Sequence, residues 1–274
     1  MEKKLYFDFN TTQKILNKIA WIDRFKGKWQ AISSNDNQYL KELRRESVVA
    51  SLVAYTRLGG ANRSNKDIQK LLGTIQNSDL TSQKNRDIFG YSRILESIIN
   101  NYHIICFDET YIYHIHSFLF KNTINDSEQS GTSKNHPYKV VAKYPDGQKR
   151  VIVTNSLCFS VKVEIYELFR WTIRAFKESH IHPLLIIALF VYEFLSIQPF
   201  HSGNGHISRL LTLFLLLKHG YSYFQYVSFE ELIEKRKDEY QSALKKCQKE
   251  RGEGKNEIID KWAIFFIDCI FDLT

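Results

Sequence analysis

Two long apolar segments separated by a short glycine-containing turn constrain the fold of this chain most strongly. The segments span residues 183–197 and 205–219, and Gly203, Asn204 and Gly205 stand at the junction. The longest uninterrupted apolar runs are too short to cross a bilayer, so they indicate buried core helices. The sequence therefore predicts two buried helices joined by a tight loop.

The turn is a candidate anion site because it lies at the start of a helix. Backbone N–H groups at a helix N-terminus point toward an anion, and glycines let the backbone approach the anion closely. Arg209 follows on the first turn, where its guanidinium can bind phosphate oxygens in a bidentate manner. Asn204 can adopt left-handed backbone geometry, and its amide can bind a phosphate. These features predict a phosphate-binding loop.

The loop reads Gln-Pro-Phe-His-Ser-Gly-Asn-Gly-His-Ile-Ser-Arg over residues 198–209 and resembles the signature of the Fic (filamentation induced by cyclic AMP) family. The family pattern is H-P-F-x-[D/E]-G-N-G-[R/K]-x-x-R. The matching positions are Pro199, Phe200, Gly203, Asn204, Gly205 and Arg209. The resemblance implies a mainly α fold: a Fic/Fido helical domain with a small β-hairpin flap and an N-terminal helical extension.

The three positions that depart from the pattern are ones that have chemical roles in the family. The family histidine takes a proton from a target hydroxyl, which attacks the α-phosphate of ATP, so that AMP is transferred and pyrophosphate leaves. Gln198 stands there and cannot act as a base, and general-base catalysis is typically worth ~10²–10⁴ in rate. Ser202 replaces the family's Mg²⁺-binding acid and is a poor ligand for that ion. His206 replaces a phosphate-contacting cation and is largely neutral at pH 7, given an ordinary pKa of ~6.5.

The resemblance thus implies a protein that resembles protein adenylyltransferases. It is expected to keep a loop that binds a nucleotide, with ATP as the expected ligand, and to have lost or greatly weakened AMP transfer. Gly203, Asn204, Gly205, His206 and Arg209 are the expected nucleotide-binding residues. Tyr240 resembles an aromatic position near the family's adenine pocket; a core tyrosine is the alternative.

A second segment, residues 138–153, resembles the flap of the family. Its Pro-Asp-Gly sequence at 145–147 is a turn signal between two β-branched runs, which predicts a hairpin on physical grounds as well. In the family the flap binds a segment of the target protein by strand addition. The expected target-binding residues are Lys139, Val140, Val141 and Ala142.

A third segment, about 46–60, is predicted to be a helix that ends at Gly59 and Gly60, a plausible C-cap. It resembles the inhibitory helix of the family, [S/T]-x-x-x-E-[G/N], whose glutamate pairs with the last arginine of the loop and blocks productive ATP binding. Here Tyr55 replaces the hydroxyl residue and Gly59 replaces the glutamate. The inhibitory contact is therefore expected to be absent.

Two other functions stay open. An active nucleotidyl or phosphoryl transferase could use His201 or His206 as its base. A non-enzymatic module could bind an extended peptide along the flap edge. Whether the chain is an enzyme is thus undecided by the sequence, and its target protein is unknown.

Helical periodicity dominates the rest of the chain. Helices are predicted over residues 11–25, 41–57, 64–72, 86–101, 108–120, 161–176, 183–197, 205–219, 229–250 and 257–272, with a loop over 121–137. Thr11 or Thr12 is predicted to cap the first helix, whose aromatic face of Trp21, Phe25 and Trp29 is assigned to the core. We divide the chain into an N-terminal helical region (1–105) and a Fic domain (106–274).

Composition and charge limit the classes of partner that we expect for this chain. The net charge of +8 is spread along the 274 residues, which is typical of lysine-rich helix faces. DNA binding is not expected, because the winged-helix unit of many family members would begin where this chain stops. The histidine pairs at 114/116 and 180/182 are not expected to bind metal. The cysteines, Cys106, Cys158, Cys247 and Cys269, are widely spaced and no signal peptide is evident, so we expect a cytoplasmic protein with free thiols and no membrane anchor.

Overall fold

The structure is a computed structural model that describes residues 7–33, 38–74, 82–120, 133, 139–143, 149–154, 158–178, 180–252 and 259–274. The described chain is mainly helical, as predicted. The helices are α1 (Phe9–Ile32), α2 (Gln38–Leu58), α3 (Asn65–Thr74), α4 (Gln83–Asn101), α5 (Glu109–Phe120), α6 (Cys158–Glu178), α7 (Pro183–Ile197), α8 (Asn204–Lys218), α9 (Phe229–Lys235), α10 (Lys237–Gly252) and α11 (Asp260–Phe271), with a 3₁₀ turn over Ser222–Gln225.

Helix α7 forms the centre of the core. Every side chain from Ile186 to Ile197 is buried, so the helix has no face that water could solvate. It packs against α6, α8 and α11, and the indole of Trp262 in α11 donates to the carbonyl of Ala188 at 2.8 Å. A helix that is apolar on all sides must be enclosed in this way.

Local signals explain where α7 and α3 begin. Pro183 occupies the first turn of α7, and the His182 ring Nδ1 accepts from the Leu184 N–H at 3.3 Å, so His182 is a capping group. Ser64 and Asp67 form a capping box: the Asp67 N–H donates to the Ser64 hydroxyl, and the Asp67 carboxylate accepts from the Ser64 N–H.

Three predictions about α1 are wrong. Asp8, not Thr11 or Thr12, caps α1, because its carboxylate accepts from the Thr11 N–H at 2.7 Å. Helix α1 also continues to Ile32, and half of the Trp21 surface is exposed rather than in the core.

The predicted helix over 229–250 is in fact two helices. Arg236 leaves helical geometry between α9 and α10. Its guanidinium donates to Asp272 at 2.7 Å and to Glu239 at 2.6 Å and lies over the Phe265 ring. Contacts with α11, distant in sequence, therefore stabilise the break.

Two strands lie between α5 and α6. Strand β1 (Lys139–Lys143) pairs antiparallel with β2 (Lys149–Thr154), with a register shift between Val140 and Val141. The predicted turn at 145–147 and most of the predicted loop at 121–137 lie outside the described residues. In this part of the chain, β2 contacts α10.

The described residues also bear on thiols, metals and membranes. Cys106, Cys247 and Cys269 are free. No group of three or more His, Cys, Asp or Glu side chains is placed to hold a metal among the residues with described positions. None of the described helices combines the length and the apolar character needed to cross a bilayer.

A buried carboxylate joins α2, α4 and α9. Glu230 is 2% exposed and accepts from the hydroxyls of Tyr91 (2.9 Å) and Ser51 (3.1 Å), and the hydroxyl oxygens of Ser51 and Ser228 lie 2.9 Å apart. Burial, and next the neighbouring Glu230, raise the pKa of Tyr91 far above its ordinary value, so the phenol keeps the proton that it donates.

We predict that Tyr91→Phe lowers the free energy of unfolding by about 1–3 kcal/mol, because it leaves the buried carboxylate with one donor fewer. Urea denaturation measures the change. Tyr166→Phe removes a phenol from the exposed face of α6 and should change stability by less than about 0.5 kcal/mol. Equal effects of the two substitutions would contradict the structural role of the Glu230 contact.

Candidate functional site

The candidate site is the loop between α7 and α8. Helix α7 is followed by Gln198, which has φ 48° and ψ 66° and is the one described non-glycine residue with positive φ. Gly203 precedes α8 with φ 76°. Two left-handed residues thus reverse the chain between two buried helices, and the glycine meets this requirement without steric cost. The glutamine is held in a conformation that is uncommon for its type.

Asn204 holds the loop closed. Its Oδ1 accepts from the Phe200 N–H at 3.0 Å, and its Nδ2 donates to the Phe200 carbonyl at 2.7 Å. Asn204 is buried and opens α8 in helical geometry, so it does not use the left-handed region that an asparagine can adopt. Its amide satisfies both backbone groups of Phe200, which fixes the turn whether or not the amide also contacts a phosphate.

Side chains of helix α5 pack against the loop. The ring of His116 stacks on that of Phe200 with centroids 4.0 Å apart. A Cβ added at Gly203 would lie 2.3 Å from the Phe120 ring, so this position has no space for a side chain. The second histidine of the 114/116 pair is therefore a packing residue of the loop.

The first turn of α8 has no side-chain cap. Gly203 occupies the N-cap position and has no side chain that could accept from the first turn. The N–H groups of the first turn have no partner within their own helix, which is the arrangement that favours an anion at a helix N-terminus.

Arg209 lies beside this turn and is 6% exposed. Its Nη2 is 2.7 Å from Nδ1 of His206. Its Nε is buried and has no hydrogen-bond partner among the described residues. A buried donor without a partner is costly, and a guanidinium in this position can gain by meeting an anion.

His206 links the loop to the N-terminal helices. Its ring lies 4.4 Å from that of Tyr55 in α2 and 6.1 Å from that of Tyr91 in α4. Burial, and next the charge of Arg209, lower the pKa of His206 well below its ordinary value. The neutral ring can therefore accept from the guanidinium of Arg209, as the contact at Nδ1 requires.

Three further predicted site residues, Tyr240, His201 and Ser202, lie in the loop or beside it. Tyr240 packs on Trp262 at 5.4 Å, and its phenol lies near Ser208 and Arg209 of α8. Burial raises its pKa above the ordinary value. Tyr240 is thus both a core tyrosine and a neighbour of the loop. His201 and Ser202 are half-buried within the loop.

The predicted inhibitory segment has its C-cap where expected. Gly60 has φ 85°, and the Ala61 N–H donates to the Thr56 carbonyl at 2.8 Å, as in a glycine-terminated helix. Gly59 is exposed, while Tyr55, one turn earlier, contacts the loop. The side chain that α2 presents to the loop is therefore aromatic.

Sequence reasoning missed Tyr91, His116 and Phe120 as supports of the loop. Their partners lie more than 80 residues away along the chain. Their own helices give no local signal for these contacts, since each residue fits an ordinary apolar face.

A helical fold around a phosphate-type loop defines the class, and comparison with known proteins identifies the domain. Residues 106–216 match the Fic/DOC family. Within residues 106–216 the chain thus carries a Fic-type domain, as its loop sequence predicts. No curated protein matches it.

Solved structures show the same fold. The chain superimposes with a TM-score of 0.71 on a Fic domain containing signaling protein from Bacteroides thetaiotaomicron, at 18% identity, covering 92% of this chain and 94% of that one. A Fic family protein from Desulfovibrio desulfuricans gives a TM-score of 0.69 at 16% identity, with coverages of 97% and 74%. A fragment of Fic-1 from C. elegans gives 0.69 at 14% identity, with coverages of 95% and 71%.

We predict that Asn204→Asp lowers the free energy of unfolding by about 1–3 kcal/mol. One carboxylate oxygen can still accept from the Phe200 N–H, but the other would face the Phe200 carbonyl without a proton between them. Urea denaturation at pH 7 measures the loss. Asn10→Asp places the same charge on the exposed first turn of α1 and should change stability by less than about 0.5 kcal/mol. A neutral result for Asn204→Asp would show that the amide does not hold the loop closed.

We also predict that the protein loses stability as pH falls below about 6.5. His206 has a lowered pKa in the folded state, and burial lowers the pKa of His219 to about 4. The unfolded chain therefore takes up these protons first, and the stabilising contribution is present above pH 6.5 and lost toward pH 4. Unfolding free energies between pH 7.5 and 4.5 should fall less steeply in His206→Gln than in wild type. His103→Gln, at an exposed position, controls for removal of an imidazole, and a slope in His206→Gln equal to that of wild type would count against the assignment.

Proposed function

We propose that this chain binds a nucleoside triphosphate, with ATP the expected one, at residues 198–209, and that its transfer of AMP to protein hydroxyls is lost or greatly weakened. A Fic domain supports a transferase-type function in broad terms, and Fic proteins generally bind nucleotide substrates. The observation that carries the proposal is the state of Arg209. Its buried Nε lacks a partner among the described residues, and it lies beside a helix N-terminus whose N-cap residue, Gly203, has no capping side chain.

These groups fit a phosphate. The backbone N–H groups at Gly205 and its neighbours, with Arg209, would hold phosphate oxygens, and Tyr240 stands close enough to the loop to contribute to the same site. The nucleotide, when bound, supplies the phosphoryl group that a target hydroxyl would attack. The chain's own residues would bind and orient it.

The step for which this chain lacks a suitable residue is removal of the proton from the target hydroxyl. Gln198 can orient a hydroxyl through its amide, but the amide has no proton affinity in the neutral range. Ser202 offers no charge to a divalent cation at the family's metal position. Both positions therefore favour binding over transfer, and Mg²⁺ is not expected to be held tightly.

A replacement base is less well supported. Nδ1 of His206 is occupied as the acceptor for Arg209, and its ring is enclosed by Tyr55 and Tyr91, so it is not free to accept a proton from a substrate. His201 remains the alternative base of a transferase with unusual chemistry, and no contact specifically favours it.

The hairpin supports a second part of the proposal. In the described residues β1 pairs only with β2, so its outer edge is available for strand addition. We assign Lys139, Val140, Val141 and Ala142 to the binding of an extended segment of a target protein. A protein without transferase activity could use the same edge to bind a peptide.

The test separates binding from transfer. Calorimetry should detect ATP binding to the wild-type chain, while α-labelled ATP should leave little label on the chain or on proteins of a cell lysate. Gln198→His with Ser202→Asp should incorporate at least about tenfold more AMP than Gln198→His alone, because base and metal ligand act on one step. Histidine is also among the residues that tolerate the left-handed geometry of position 198.

The control variant, Gln30→His, adds a histidine on the exposed surface of α1 and should leave AMP incorporation unchanged. Absence of ATP binding would refute the nucleotide site. Strong incorporation by the wild-type chain, abolished by Gln198→Ala, would refute the loss of transfer.

A further inference from the structure

A groove between α2 and α4 gathers positive charge away from the Fic loop. The α2–α4 groove encloses about 470 Å³, and its lining includes Lys41, Arg44, Arg45 and Arg93. The first three lie at positions i, i+3 and i+4 on one face of α2. Glu96 is the one carboxylate of the described lining. Like charges brought together repel one another, so such an arrangement is typical of a site that meets an anion.

One guanidinium in the groove is held in place. Arg44 is half-buried, and its Nη2 donates to Oδ1 of Asn100 at 2.5 Å. Burial lowers the pKa of Arg44, which shows that the cation is partly removed from water. The Arg93 guanidinium lies over the Phe89 ring at 6.0 Å. One donor of fixed direction at Arg44, with the exposed guanidinium groups of Arg45 and Arg93 lining the same groove, suits the tetrahedral oxygens of a phosphate better than a diffuse charge would.

The floor of the groove is apolar. Val48 from α2, Leu72 from α3, and Phe89 and Ile99 from α4 form it. The volume lies within the range of about 300–1,000 Å³ that is usual for small-molecule sites, and such sites combine an apolar lining with a few polar groups that orient the ligand. A purely inorganic anion would leave this surface without a partner.

We propose that the α2–α4 groove binds a small phosphate-bearing molecule with a flat apolar part, an aryl or nucleoside phosphate. The guanidinium groups of Arg44, Arg45 and Arg93 take the phosphate, and the flat part lies on the floor beside Phe89. This site is independent of Arg209. Helices α2 and α4 reach the Fic loop through Tyr55 and Tyr91, which are not part of the groove lining.

The test uses 1-naphthyl phosphate as the probe on the full chain, followed by calorimetry. Binding with one ligand per chain is expected, and it should be at least about tenfold tighter than that of inorganic phosphate or of 1-naphthol, each of which offers half of the recognised chemistry. Arg45→Gln with Arg93→Gln should weaken it at least about tenfold. Both side chains are exposed, so the variant is expected to fold, and its thermal unfolding checks this.

The control variant, Arg170→Gln with Arg174→Gln, removes the same charge from the exposed face of α6 and should leave binding unchanged. Equal loss in the two variants would reduce the effect to net charge and overturn the site, as would undetectable binding or equal affinity for inorganic phosphate. ATP binding at the Fic loop is measured in the same groove variant. Its persistence there separates the two sites, whereas loss of both ligands together would also overturn the proposal.

Discussion

The absence of a solvent-facing side on α7 is the constraint on which the structure depends. Its buried aliphatic and aromatic side chains each gain about 1.5–3 kcal/mol by leaving water, and no rotation of the helix keeps that gain while exposing a face. Helices α6, α8 and α11 must therefore surround it. Because burial fixes both α7 and α8, it also restrains the six residues between them. The candidate site is therefore a rigid turn rather than a mobile loop.

The turn is held from several directions at once. Asn204 closes it through Phe200, α5 packs His116 and Phe120 beneath it, and α2 encloses His206 with Tyr55. One hydrophobic core contains side chains from both the N-terminal region and the Fic domain. The helices before residue 106 thus contribute directly to the shape of the loop.

Local signals account for what could be predicted from the sequence. Residues 183–197 form α7 as predicted, since Pro183 starts the helix and a continuous apolar run fills it. The break at Arg236 could not be predicted, because its reason is the carboxylate of Asp272, just after the end of α11.

The loop, too, has some features that the local sequence predicts and others that depend on distant contacts. Its glycine-containing turn and Arg209 follow from the local sequence, and Gly203 has the left-handed geometry that a turn requires. The left-handed geometry of Gln198 and the contact of Tyr55 with His206 depend on packing between distant segments. Periodicity within one helix carries no information about which neighbour a residue meets.

Packing also gives the departure at position 206 a structural rationale. A lysine or arginine there would bring a second cation next to Arg209 and against the rings of Tyr55 and Tyr91, where the surroundings already lower the pKa of an imidazole. A neutral histidine instead accepts a hydrogen bond from Arg209 and packs at a tilt against the Tyr55 ring. The aromatic residue of α2 and the histidine of the loop are therefore mutually compatible, and changing either one alone would leave the other badly placed. In this chain the position of the loop arginine is set by an aromatic and hydrogen-bonded contact, while Gly59 at the end of α2 remains exposed and contributes no charge.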